Sequence, residues 1–82
     1  MSEFDVEYRK LCWRSRRGML ELDRLLIPFV QEKYLQLTKE DQPLYVQLLA
    51  CEDIDLLDWL VYHIKPQDPH IARIVGIILQ YV

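Results

Sequence analysis

Ile71, Ile74, Val75, Ile78 and Leu79 stand at i, i+3, i+4, i+7 and i+8, the spacing that places five apolar side chains on one face of an α-helix. A stripe of this kind has to be covered by other elements, so it commits the chain to a packed helical core. Asp68 and Pro69, just ahead of it, supply a capping side chain followed by proline at the first helical position, so the helix is expected to open there. The same period recurs upstream, and no segment alternates apolar and polar residues as a half-buried strand would. The expected architecture is all-α: a small five-helix bundle forming a single domain over residues 1–82.

The other four helices follow from similar arguments. Phe4, Tyr8, Leu11, Cys12 and Ser15 make an amphipathic stripe for a first helix from about Phe4 to Arg17. Trp13 lies off that stripe, either closing the edge of the core or standing beside the arginines as a binding anchor. A second helix, about Met19 to Leu35, carries Leu22, Leu25, Leu26, Phe29 and Val30 on one side and Leu20, Ile27 and Tyr34 on the other. Two apolar faces imply a central, largely buried helix, with Pro28 expected to kink it by removing one backbone hydrogen bond. Thr38 and Asp41 have the spacing of a capping box for a third helix reaching Ala50, although Pro43 favours a start nearer Asp41. Asp53 is the expected N-cap of a fourth helix with Leu56, Leu57, Leu60 and Val61 as its stripe and Pro66 as its stop.

Composition narrows the function classes. Eighty-two residues can bury a modest core but hardly a substrate cleft with its own supporting shell, which argues against an enzyme. Hydrophobic residues make up 51% with only two glycines, so the chain should be folded. The longest apolar run, Ile74 to Leu79, is interrupted by Gly76 and falls far short of the roughly 18 residues of a membrane span. The acidic start, Met-Ser-Glu-Phe-Asp-Val-Glu, has the layout of neither a secretory signal nor a transit peptide, so a bacterial cytoplasm is expected. In that setting Cys12 and Cys51 read as two free, half-buried thiols.

Net charge is −3, yet Arg9, Lys10, Arg14, Arg16 and Arg17 hold half of the ten basic residues before position 18. Glu52, Asp53, Asp55 and Asp58 form an acidic counterpart, and such a dipolar surface suits docking on a protein of matching potential. At the basic end, Arg16-Arg17-Gly18-Met19-Leu20-Glu21 joins two apolar-periodic segments. Gly18 permits the positive φ of a helix C-terminus, and cations before it with Glu21 after it suit the two helix dipoles. Three arginines crowded at 14, 16 and 17 exceed what a dipole needs. A solvated cap and a docking surface both fit.

Trp13, then Arg16-Arg17-Gly18-Met19-Leu20-Glu21-Leu22-Asp23, then Leu26-Ile27-Pro28-Phe29 closely resemble the small succinate dehydrogenase assembly factors of the SdhE family, which carry an Arg-Gly-x-x-Glu motif. The resemblance continues through Leu48-Leu49 and Asp53-x-Asp55-Leu56-x-x-Trp59-Leu60 to His63-x-Lys65-Pro66, and so spans about residues 4–80. The chain departs from the pattern at Ser15, where many members have cysteine, and at Ile54 and Ile64, where proline and glycine are expected. The last bears on the turn after the fourth helix. The resemblance implies a non-catalytic chaperone of the flavoprotein subunit of succinate dehydrogenase, and of the related fumarate reductase, that promotes covalent attachment of FAD to a client histidine. The FAD belongs to the client, and no stably bound cofactor is expected in this chain. Carried onto the motif, Arg17 would pair with a client carboxylate or carbonyls, Gly18 would permit close backbone approach, and Glu21 would orient Arg17 or accept from the client. Arg16 and Asp23 are further candidates.

Other chemistries find less support. His63 and His70 flank a turn, with the cysteines far away in sequence and no closely spaced ligand pair for zinc. No nucleophile–base set and no phosphate-binding loop is legible. Nucleic-acid binding would call for a positive excess, whereas the chain is acidic and Glu3, Asp5, Glu7 and Glu21 can neutralise most of the basic cluster. An antitoxin-like or membrane-associated regulatory adaptor is the rival reading.

Overall fold

A computed structural model describes residues 3–81, with side chains from residue 5 onward. Five α-helices follow one another: α1 (Glu3–Arg14), α2 (Leu20–Glu32), α3 (Gln42–Leu49), α4 (Asp53–Leu60) and α5 (Pro69–Tyr81), with a 3-10 turn at Tyr34–Gln36. No strand occurs among the described residues, and the fold is the expected all-α five-helix bundle. The side chains of Glu3 and Phe4, the latter the first member of the α1 stripe, lie outside the described set.

α2 runs through the middle of the molecule and packs against α1, α4, α5 and the 3-10 turn. Its principal face is the expected one, with Leu22, Leu26, Phe29 and Val30 fully buried. The second face is less covered than two apolar sides suggest, since Tyr34 is buried while Leu20 stands exposed. Buried side chains from all five helices join in one cluster, from Leu11 on α1 to Ile78 on α5. α5 matches the sequence reading closely: Ile71, Ile74, Val75 and Ile78 are buried, and the Asp68 carboxylate accepts the His70 N–H at 2.8 Å.

Helix ends depart from expectation wherever a side chain competes for the backbone. α1 stops at Arg14, not Arg17, because Ser15 turns its hydroxyl inward and the Arg17 N–H bonds the Asp23 carboxylate instead of a helix carbonyl. α2 stops at Glu32, and the 3-10 turn that follows brings the Tyr34 ring into the core against Tyr45, 5.7 Å between centroids. Val30 near that end would leave an unpaired carbonyl. Tyr8 supplies its hydroxyl to it at 3.1 Å and so fastens α1 to α2.

α3 opens at Gln42, with half of the expected capping box in place: Thr38 Oγ1 accepts the Asp41 N–H at 3.2 Å. The Asp41 carboxylate has its main partner on another helix. It is buried, and Arg73 of α5 reaches it with a two-pronged contact, Nε to Oδ1 at 2.7 Å and Nη2 to Oδ2 at 3.1 Å. The cap position of α4 falls to Glu52 rather than Asp53, and no side chain bonds the cap. α4 then ends at Leu60, well before Pro66, in a turn where His63 takes φ +59°. The left-handed residue is thus the one before Ile64, and the Ile64 N–H closes the turn on the Asp58 carbonyl at 2.8 Å. No helix among the described residues is long and apolar enough to cross a membrane.

Ile74 is fully buried at the centre of the α5 stripe. Ile74→Ala is expected to cost about 2–5 kcal/mol, read as a lower denaturant midpoint in circular dichroism. The forked contact from Arg73 holds the Asp41 carboxyl below the usual carboxylate range, against the opposing effect of burial. The folded state therefore gives up that proton more readily than the unfolded chain does. This contribution to stability is complete above the unfolded value of about 4 and is lost as pH falls through the lower folded value. Acid titration of the melting temperature should show the loss below about pH 4, and Arg73→Met should flatten that limb of the curve.

Candidate functional site

The loop between α1 and α2, residues 15–19, carries the motif, and its geometry is set from both ends. At the first end Ser15 is fully buried, and its hydroxyl donates to the Leu11 carbonyl at 2.8 Å. Having spent its only proton, Ser15 must accept from the Tyr45 hydroxyl, 2.7 Å away on α3. Burial pushes the Tyr45 phenol well above its ordinary value, so it stays a neutral donor. The position where many members carry cysteine is therefore one where a hydroxyl completes a buried relay.

Arg17 fixes the middle of the loop. Its Nε donates to Asp53 Oδ1 at 2.7 Å, Nη1 to the carbonyls of Leu49 at 2.9 Å and Arg14 at 3.2 Å, and Nη2 to the Cys51 carbonyl at 2.9 Å. Arg14 ends α1 and Leu49 ends α3, so these are carbonyls that a helix terminus leaves without an internal donor. One guanidinium caps both, placed at the negative ends of two helix dipoles. Asp53 stands at the first residue of α4, where the dipole favours an anion. The Arg17 side chain is only 16% exposed.

Asp23 works on the loop from the other side. Its Oδ1 accepts the Arg17 N–H at 2.8 Å, while its own N–H bonds the Met19 carbonyl at 2.8 Å. Gly18 then turns the chain at φ +82°, exposed, in a conformation that L side chains rarely adopt. Beyond it Glu21 is exposed on the first turn of α2, and Arg16 is exposed on the loop. Glu21 does not touch Arg17: Asp53 and Asp23 orient it instead.

The predicted residues thus divide by exposure. Arg17 and Asp23 make the bonds that build the loop, whereas Arg16 and Gly18 on the loop and Glu21 on the first turn of α2 are exposed. Trp13 resolves toward the outside, 75% exposed beside Arg9, Lys10 and Arg14 and over a shallow groove floored by Tyr34 and Val46. Asp53, expected as a helix cap, pairs instead with Arg17. The signal was present in the acidic 52–58 segment facing a basic 9–17 segment, but nothing in the sequence says which acid meets which base.

Neighbouring chemistry is quiet. Cys12 and Cys51 are free and half-buried, and burial, reinforced by Asp55, pushes the Cys51 thiol up, so it stays protonated at neutral pH. No group of three or more His, Cys, Asp or Glu residues comes together as a metal site among the described residues.

Residues 9–82 match the protein family described as flavinator of succinate dehydrogenase. The FAD assembly factor SdhE of Pseudomonas putida is 51% identical over 77 residues, covering 94% of this chain and 92% of its own length. That of Pseudomonas aeruginosa is 49% identical over 78 residues, 95% of this chain and 93% of its own. The Shewanella oneidensis protein of the same name is 49% identical over 66 residues, 80% of each chain.

A Cβ added at Gly18 would meet no atom within 4 Å, so substitution there costs backbone strain and not a clash. Gly18→Ala should lower stability by about 1–2 kcal/mol, and Gly18→Asn by less, because asparagine tolerates the left-handed region. Urea denaturation of the two variants checks the order. Equal losses would show that the turn relaxes away from its positive φ.

Proposed function

We propose that this chain, which belongs to the family of succinate dehydrogenase flavinators, is an FAD assembly factor that docks on the flavoprotein subunit of succinate dehydrogenase and promotes covalent attachment of FAD to it. The flavoprotein of the related fumarate reductase is a second client of the same kind. The observation that carries the reading is the orientation of the motif. Its inward residues lock a five-residue loop to three helices, and Arg16, Gly18 and Glu21 are each left exposed. A loop built this way meets a partner without first having to be ordered, which lowers the entropic cost of docking.

The chemical step belongs to the client and its flavin. This chain supplies geometry: bound to the flavoprotein, it favours a conformation in which flavin and acceptor side chain are apposed. Holding reacting groups in place can lower a barrier by several kcal/mol with no catalytic group donated. Gly18 offers a side-chain-free backbone for close approach, Glu21 accepts from client donors, and Arg16 pairs with a client carboxylate. Trp13, exposed near the end of α1, is an apolar anchor of the sort that dominates docking energetics.

In-gel flavin fluorescence of the denatured client, produced with and without this chain, tests the proposal directly. Fluorescence should require the chain, and Gly18→Arg should cut the initial rate of flavin attachment by about tenfold or more while the helical circular dichroism signal is kept. Equal flavin attachment with and without the chain would contradict the function. Loss of helical signal in parallel with loss of activity would return Gly18 to a purely structural role.

A further inference from the structure

α1, α3 and α4 are each held in the core by their own apolar residues, among them Leu11, Leu48 and Leu56. Their positions do not depend on polar contacts at the loop. The loop does: the Arg17 N–H bonds a side chain and not the main chain, and the conformation of residues 16–18 rests on where the Arg17 guanidinium is held. Guanidinium donors lie in one plane. Once Nε is fixed on Asp53, rotation about the bond behind it stops, and both Nη atoms are aimed at the Leu49, Arg14 and Cys51 carbonyls. Of the four partners only Asp53 holds Nε, the nitrogen on the side chain's own axis, so without an acceptor there the group keeps carbonyl contacts at its far end but loses the bond that fixes its angle about that axis.

We propose that Asp53 is a positioning residue for client docking: by holding Arg17 Nε from a different helix, it sets the direction in which Arg16 and Gly18 are presented ahead of Glu21 on α2. The inference rests on the reading that this loop meets the flavoprotein. Asp53 is 40% exposed, so its removal leaves no deeply buried unpaired charge, and the global stability of the bundle should change little. Docking should change much more, because a surface that has lost its orientation must be reordered on binding. That separation between stability and affinity distinguishes positioning from simple support.

The test uses the full chain and the purified flavoprotein subunit, with affinity measured by calorimetry and amide hydrogen exchange followed in the free chain. Asp53→Ala should weaken binding by about tenfold and speed exchange of the amides at 16–19 while leaving those of α5 unchanged. Asp53→Asn should restore most of the affinity, because its side-chain oxygen still accepts from Nε. Glu21→Arg serves as the control on the outer surface. If Glu21→Arg weakens binding and Asp53→Ala does not, the positioning role is wrong and the docking surface stands. If neither weakens it, the docking surface fails and the positioning role with it. Faster exchange throughout α5 in Asp53→Ala, or failure of Asp53→Asn to rescue, would also overturn the role, by making Asp53 a general stabiliser or its charge alone the requirement.

Discussion

One side chain settles how the three helix ends around the motif can coexist. Helix termini leave carbonyls without donors, and α1 and α3 end close together with the start of α4 beside them. Arg17 meets this with four hydrogen bonds from a single planar group, three to carbonyls and one to the Asp53 carboxylate. Lysine could carry the charge but not the fork, since its donors radiate from one nitrogen. The structure thus gives arginine at this position a task within the fold, which accounts for its being mostly buried. The buried Ser15–Tyr45 relay performs the same service one residue after α1 ends, so the loop is tied to α3 at two heights.

Elements whose identity rests on apolar period were legible in advance, and contacts between distant polar residues were not. α5 follows from its stripe and its Asp68-Pro69 opening almost residue for residue, because nothing in it competes with the helical ladder. α1 and α2 each end three residues short of the C-terminal bound that their sequence suggests. In each case a side chain, Ser15 or Tyr34, bends the backbone to reach a partner on another element. Thr38 and Asp41 illustrate the limit well: the threonine caps as its spacing implies, whereas the aspartate, equally suited to a cap, finds Arg73 instead. Asp53 is the same case with functional weight. Local pattern gives each acid a local job, and only the tertiary arrangement shows which has been taken for a distant one.

The motif itself was found by sequence, but its division of labour was not. A linear string of Arg-Gly-x-x-Glu treats its members as equals. In three dimensions Arg17 and Asp23 face the protein, and Arg16, Gly18 and Glu21 face outward. Trp13, whose position off the α1 stripe leaves two readings open, is exposed and lines a groove with Arg9, Lys10 and Arg14. A chain of 82 residues has little area with which to bind, and on the proposed reading rigidity in this loop helps to offset that shortage. The positive φ at Gly18 belongs to the same design, because a residue with a side chain would strain the turn and fill the space a partner's backbone could occupy.

Whether Arg17 is held inward by this fixed set of bonds is read by proton–nitrogen NMR of its own guanidinium. A locked fork predicts a slowly exchanging Nε–H signal and separately resolved Nη resonances, because rotation of the group is blocked. Rapid exchange with water and a single averaged Nη resonance, of the kind a solvated arginine gives, would contradict the account.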